Sequence, residues 1–304
     1  MKVLVVGLGV QGKKRSDLLG ENFAGSVDPQ SENATYLNIA DAPIDSFDTV
    51  FLCVPDNQKI ELIEYCILHK KHVLVEKPLI RKDPSELINL QAKANSAGVF
   101  IYTAYNHRFE PHFKAMKDIL ESGELGKIFS VRMFYGNGTS QLVKASPWRD
   151  QGMGVVSDLA PHLLDTLAFW LGVNKLKDLF VRTHHFETLA PDHAVVHANI
   201  AEVAVEFEMS LCMWRNSFYC DIIGDKGSAH ISSLCKWGPS VLTIRKRVLP
   251  SGKPSEELRE LEMPDPTWAL EHEYFFTQIL IGARTNFVTD IWIAETLGEM
   301  EVQL

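Results

Sequence analysis

Apolar and polar positions follow two rhythms along the chain. Over the first third, short apolar runs recur at residues 3–6, 23–27, 49–54, 72–75 and 99–103. Runs of this length, bounded by turn residues, read as strands buried on both faces, which is the habit of a parallel sheet. Helical spacing fills the gaps. Ile60, Ile63 and Ile67, with Leu62, follow the third run in a helix reaching His69, which Asp56 or Asn57 can cap. Asp83 and Pro84 open a further helix that ends near Gly98, with Asp83 as N-cap and Pro84 at the first helical position. Strand and helix thus alternate, which predicts a mostly parallel, doubly wound α/β sheet.

The second rhythm begins after residue 105. A helix is expected from Pro111 to about Glu121, a turn at 122–126, a strand at 128–135 and a flexible loop at 136–140. Residues 163–171 are apolar and helical. From about residue 178 the segments are short, alternating and punctuated by turns: 179–186, 194–200, 203–211, 218–223, 229–232 and 241–248. Such alternation predicts an open, mainly antiparallel sheet, with a hairpin turn at 224–228. Helices at 267–281 and 289–302 close the chain. The expected division is into domains 1–105 and 106–304.

Composition narrows the functional classes. The 304 residues suffice for two domains. The formal net charge of −9 argues against a non-specific nucleic-acid binder. Five cysteines, with no Cys-x-x-Cys pair, read as reduced thiols and give no support to a structural metal site. No signal-peptide pattern precedes the first strand, and no apolar run approaches the length of a membrane span, so a cytoplasmic protein is expected.

The first strand leads into Gly7-Leu8-Gly9-Val10-Gln11-Gly12, a G-x-G-x-x-G turn that opens a helix. Gly7 permits the tight turn, Gly9 lets a pyrophosphate approach the backbone, and Gly12 lets helix and strand pack closely. The helix N-terminus offers N–H groups and a favourable dipole to phosphate. The second strand ends at Asp28, 21 residues after Gly7, where a dinucleotide fold needs an acid for the adenosine ribose hydroxyls. A carboxylate there favours NAD, since it would repel a 2′-phosphate. Lys13, Lys14 and Arg15 leave NADP open: they can hold pyrophosphate or a 2′-phosphate, or stand solvated. The turns at Pro55 and Asn57 and at Glu76 and Lys77 also follow strands. They should gather on the carboxyl edge of the sheet, where ligands bind in open α/β folds. Pro78 keeps Lys77 out of helical geometry.

In the second half, Asp158 and His162 are four residues apart, which puts them on one face of a helix. A carboxylate beside an imidazole raises the imidazole pKa and fixes its tautomer, as a general acid/base needs. A capping Asp and a satisfied His would look the same in sequence. Asp165, one turn on, can orient His162 or face solvent.

The glycine turn, Val73-Leu74-Val75-Glu76-Lys77-Pro78-Leu79, Tyr105-Asn106-His107-Arg108-Phe109 and the stretch from Asp158 to Asp165 occur in this order. Together they resemble the glucose–fructose oxidoreductase / inositol dehydrogenase / rhizopine catabolism (Gfo/Idh/MocA) family over essentially the whole chain. The resemblance implies a Rossmann domain at 1–105 that binds NAD, or NADP, through Gly7, Gly9, Val10, Gln11, Gly12, Asp28, Pro55, Asn57, Glu76 and Lys77. It implies a substrate-binding and oligomerisation domain at 106–304, and a homodimer or homotetramer. It further implies hydride transfer to or from a sugar, cyclitol or nucleotide sugar. In that reaction Lys77 would meet the reacting hydroxyl, His162 would act as acid/base and Asp158 would assist. The Lys77–Pro78 bond is expected to be cis on the same ground. Asn106, Arg108, Trp148, Arg149 and Asp192 are candidate substrate contacts that could equally serve packing. Two departures stand out. The glycine cluster before Asp158 is broken as Gly152-Met153-Gly154, and Lys59 stands where many members carry a histidine. An NAD-retaining glycosidase and a non-catalytic NAD-responsive binding protein are the alternatives.

Overall fold

The computed structural model describes residues 1–81, 83–147 and 149–304. It divides into two compact units: residues 1–106 with 267–294, and residues 107–266 with 295–304. The helix at 267–280 therefore belongs with the first unit, although the whole second sheet precedes it in sequence.

In the first unit the chain runs β1 (Val3–Val6), α1 (Val10–Leu19), β2 (Phe23–Val27), β3 (Thr49–Leu52), α2 (Asp56–Leu68), β4 (His72–Glu76), α3 (Pro84–Ala97) and β5 (Ile101–Ala104). The strands pair in parallel in the order β2-β1-β3-β4-β5. One face of the sheet (Leu4, Val6, Val50, Leu52, Val73, Val75) packs with Ile63, Cys66, Leu87 and Leu90 of α2 and α3 in one apolar core. The doubly buried strands explain the continuous apolar runs. On the other face Phe51 meets Phe275, whose ring centroid is 5.7 Å away. Asp83 caps α3 by accepting the Ser85 N–H at 2.9 Å. The expected cap of α2 is corrected. Pro55 is the N-cap, so Asp56 and Asn57 lie inside the first turn, and among the described residues no side chain caps the helix.

In the second unit the chain runs α4 (Pro111–Ser122), β6 (Ile128–Gly136), α5 (Ser140–Lys144), α6 (Val155–Leu171), β7 (Leu176–His184), β8 (His193–Ile200), β9 (Val203–Ser210), β10 (Ser217–Gly224), β11 (Gly227–Ser232), β12 (Ser240–Lys246) and β13 (Glu256–Leu261). The eight strands form an open sheet in the order β13-β12-β11-β10-β6-β9-β8-β7. Every pairing is antiparallel except β6 with β9. The inner face (Val131, Met133, Phe207, Phe218) is buried. Helices α4 and α6 are tied together by the Trp170 indole N–H, which donates to the Phe113 carbonyl at 2.9 Å.

Two features differ from the sequence reading. Strand β13 was not expected: it is an edge strand exposed along nearly its whole length, so no apolar alternation marks it. The loop expected at 136–140 gives way to α5 at Ser140. Its middle is held by the Asn137 side chain, which accepts the Thr139 N–H at 3.1 Å and its hydroxyl at 2.6 Å. The chain closes with α7 (Thr267–Leu280) in the first unit and α8 (Val288–Glu301), which passes from the first unit into the second. No helix among the described residues is long and apolar enough to cross a membrane.

Candidate active site

In the first unit all five strands run the same way, so the turns after them share the carboxyl edge. Gly7 has φ +90°, and a Cβ there would meet the Cys53 carbonyl oxygen at 2.3 Å. A Cβ on Gly12 would meet the Gly7 carbonyl oxygen at 1.8 Å. The turn thus packs hard against the end of β3, and only glycine fits. A Cβ on Gly9 would meet nothing within 4 Å, which leaves an open approach to the backbone. The leading N–H groups of α1 have no intrahelical acceptors, and among the described residues no side chain caps them and no acid stands in the first turn. Asp28 Oδ2 accepts the Leu8 N–H at 2.8 Å and Oδ1 accepts the Gln30 N–H at 2.8 Å. The carboxylate is therefore fixed beside the glycine turn with lone pairs left to accept further hydrogen bonds. This cradle fits a dinucleotide. Val10, Gln11, Pro55 and Asn57 are exposed along the same edge.

The cation run after the glycines is corrected. Arg15 neither stands solvated nor points toward phosphate: it is 1% exposed. Its Nε donates to Glu76 Oε1 at 2.5 Å, one terminal nitrogen donates to Glu271 Oε2 at 2.8 Å, and the other lies 3.0 Å from His272 Nε2. Burial alone would lower the Arg15 pKa, but Glu76 and Glu271 outweigh it and hold the guanidinium charged. Burial, then Arg15, pushes His272 down to about 3, so the ring is neutral and Nε2 accepts. Lys14 lies over the Trp268 ring at 4.1 Å. Helical spacing carries the missed signal: Gly12, Arg15 and Leu19 are the buried stripe of α1.

Glu76 ends β4, and Lys77, half-buried, follows it through a cis bond to Pro78. Lys59 is 2% exposed, and its ammonium donates to the carbonyls of Glu76 at 2.6 Å and Pro78 at 2.7 Å. It also pairs with Asp56 at 2.6 Å. Burial lowers the Lys59 pKa while Asp56 and Glu76 resist the shift. Asn106 is also accounted for within this unit: its side-chain amide donates to the Thr267 hydroxyl at 2.8 Å.

In the second unit α6 carries both Asp158, in its first turn, and His162. Both are half-buried. The His162 ring stacks on His107, with centroids 4.4 Å apart and planes at 24°, and meets the Tyr135 ring edge-on at 5.6 Å. Tyr135 in turn lies 5.9 Å from Trp237. Aromatic His107, Tyr135 and Trp237 come from three separate segments, so no spacing in the sequence could have grouped them with His162. Arg149 lies 3.9 Å from the Asp158 carboxylate. Gly154, the N-cap of α6, has φ +51°, and a Cβ there would meet the Pro191 carbonyl oxygen at 2.1 Å. That close approach fixes where α6 begins, and hence where Asp158 and His162 fall.

Three expectations change here. Asp165 does not face solvent: it is 1% exposed, and Arg108 Nε reaches both its oxygens at 3.0 Å. Burial raises its pKa and Arg108 opposes the rise. Arg108 is thereby engaged in packing α6. Asp192 is fully buried and accepts the N–H groups of Phe186, Glu187 and Thr188 at 2.6–3.1 Å. It therefore builds its own loop. Trp148 lies outside the described residues. Among the described residues, no group of three or more His, Cys, Asp or Glu side chains is placed to hold a metal ion.

A Rossmann sheet with this glycine cradle, followed by an open mainly antiparallel sheet, defines a two-domain oxidoreductase architecture. Residues 1–105 match the model of an oxidoreductase family with an NAD-binding Rossmann fold, and residues 113–230 match the GFO/IDH/MocA C-terminal domain. The chain belongs to the Gfo/Idh/MocA family, and its first 105 residues are the family's NAD-binding domain. It is 25% identical over 239 residues to mouse (Mus musculus) trans-1,2-dihydrobenzene-1,2-diol dehydrogenase, covering 74% of this chain and 66% of that protein. The chain thus spans just under two thirds of the length of that relative. UDP-N-acetylglucosamine 3-dehydrogenase from Acidithiobacillus ferrooxidans superposes with a TM-score of 0.83 at 17% identity, over 100% of this chain and 97% of that one. A levoglucosan dehydrogenase crystallised with NADH also gives 0.83 at 17% identity, with the same coverage. At such identities the likeness is one of fold.

Proposed function

We propose that this chain is an NAD-dependent dehydrogenase or reductase acting on a secondary hydroxyl, or the matching ketone, of a sugar, cyclitol or nucleotide sugar. The observation that carries the reading is His162, half-buried on α6 one turn from Asp158 and locked by its stack on His107. A hydroxyl losing hydride must also lose its proton, and an imidazole held in one orientation is the group suited to take it. Lys77 supplies a cation that stabilises the developing alkoxide, and Asp158 stabilises the imidazolium that forms. NAD, when bound, supplies the hydride acceptor. In the reducing direction His162 returns the proton to the carbonyl oxygen. The similar proteins support the class: a trans-1,2-dihydrobenzene-1,2-diol dehydrogenase, a UDP-N-acetylglucosamine 3-dehydrogenase and a levoglucosan dehydrogenase.

Asp28 supports NAD over NADP, because its carboxylate sits beside the glycine turn. Arg149, next to Asp158, is the substrate contact with most support among the candidates. Five free thiols support a reducing, cytoplasmic setting. We also propose a homodimer or homotetramer, formed through the outer face of the eight-stranded sheet.

The test is NADH formation or loss across sugars, cyclitols, sugar acids and nucleotide sugars. Turnover with one class, abolished in Lys77→Ala while NAD binding survives, is the expected result. Near-normal turnover by Lys77→Ala would overturn the assignment of that lysine. Release of nitrophenol from glycosides without net NADH would move the chain to the glycosidase reading.

A further inference from the structure

The turn that carries Lys77 is gripped from both sides by buried cations that no role in the reaction accounts for. On one side is Lys59 of α2. Its ammonium has three N–H groups and three acceptors: the Glu76 carbonyl at 2.6 Å, the Pro78 carbonyl at 2.7 Å and the Asp56 carboxylate at 2.6 Å. On the other side is Arg15 of α1, which takes the Glu76 carboxylate at 2.5 Å and is itself fixed by Glu271 and His272. Lys77 is therefore the middle residue of a three-residue turn whose flanking carbonyls are both bound to one atom. Pro78 has no N–H, so the turn has one fewer backbone donor with which to hold itself.

A fully buried ammonium is an expensive way to fill space. An apolar side chain of similar length would serve packing without the desolvation penalty. What methyl groups could not do is bind the carbonyls of Glu76 and Pro78 together. We propose that Lys59, backed by Arg15, is a positioning residue that fixes the Glu76–Pro78 turn and so sets the orientation of Lys77. The inference rests on the reaction proposed above for Lys77, and deepens it: the precision of the cation at the sheet edge is built by α1 and α2, the helices that follow the phosphate turn and the β3 turn. A reacting group displaced by about 1 Å can lose about 10²-fold in rate, so the grip has a kinetic consequence without touching substrate.

The test compares wild type, Lys59→Met, Lys59→Gln and Lys77→Ala, each with NAD. Methionine keeps the stem and removes every donor. Glutamine is neutral, so it tolerates burial, but it is one atom too short to hold both carbonyls. The first readout needs no substrate: the rate at which Lys77 is modified by pyridoxal phosphate and borohydride, followed by peptide mass spectrometry. The expected result is a change of threefold or more, with NAD affinity kept within about threefold. On the best substrate of the panel, kcat falls by about 10- to 100-fold in Lys59→Met with KM little changed, and by less in Lys59→Gln. A wild-type labelling rate and kcat in either variant overturns the inference. So does a parallel loss of kcat, NAD affinity and melting temperature, which would mark Lys59 as a merely structural residue. If Lys59→Met does not fold, Lys59→Gln decides by the same criteria. Activity retained in Lys77→Ala would instead remove the reaction itself, whatever the Lys59 variants do.

Discussion

The imidazoles of His107 and His162 stack with their centroids 4.4 Å apart, although 55 positions separate them in the chain. His107 is 3% exposed and His162 is half-buried, so the inner ring backs the outer one. Replacing His162 by Gln keeps a polar side chain of similar size but removes the group proposed as acid/base. The expected loss in kcat is about 10²- to 10⁴-fold, the usual contribution of general acid–base catalysis. NAD affinity, read by titration, should stay within about threefold. His107→Ala should fold and lose about tenfold, since it removes the backing and not the proposed base. Equal losses in the two variants would show that His107 does more than hold the ring.

Asp28 holds the glycine turn through the Leu8 N–H. Asp28→Ser leaves a shorter hydroxyl and removes the charge. NAD should bind about tenfold more weakly, consistent with loss of a charge-assisted hydrogen bond. The ratio of kcat/KM for NADP over NAD should rise, because the repulsion of a 2′-phosphate is gone. An unchanged ratio would argue that Asp28 does not set cofactor choice.

Arg108 and Asp165 form a pair that is closed on one side, with Asp165 1% exposed and the Arg108 side chain 25% exposed. Arg108→Met strands the carboxylate and should cost about 3–5 kcal/mol at pH 7, measured by urea unfolding. The pH dependence has a definite sign. Burial raises the folded pKa of Asp165, so the ionised group opposes folding. Its contribution becomes more favourable as pH falls through that raised value toward the ordinary carboxylate range. The rise is larger without Arg108. The deficit of Arg108→Met should therefore shrink over the window from pH 7 down toward the ordinary carboxylate range. A deficit constant across that window would mean that lost packing, not stranded charge, is the cause.

The outer face of the eight-stranded sheet presents Tyr219, 52% exposed, with Phe134 6.0 Å away and Arg132, Glu206, Glu208 and Asp221 around them. If copies of the chain meet there, light scattering should give a dimer or tetramer at micromolar concentration. Tyr219→Lys should then shift the mass toward the monomer while leaving the fold intact by circular dichroism. A monomer in the wild-type protein would remove the proposed assembly.

The sequence by itself determined the parallel sheet, the glycine cradle and the acid after β2. Each depends on residues near one another in the chain: a continuous apolar run is enough to bury a strand on both faces, and a G-x-G-x-x-G turn is local geometry. It also placed Asp158 and His162 on one helix face, since that follows from a spacing of four. The tertiary structure alone decided the surroundings. Arg15 is inside because Glu76, Glu271 and His272 converge on it from β4 and α7, and the last two lie more than 250 residues away. Asp165 is buried because Arg108, 57 positions earlier, closes over it. Lys59 departs from the family pattern; in the fold its Nζ binds both carbonyls beside Lys77. A charge is legible in sequence as a charge. Whether it stands in water or holds a backbone turn depends on which acceptors the rest of the chain brings within hydrogen-bond reach, and burial without such acceptors would be too unfavourable to occur.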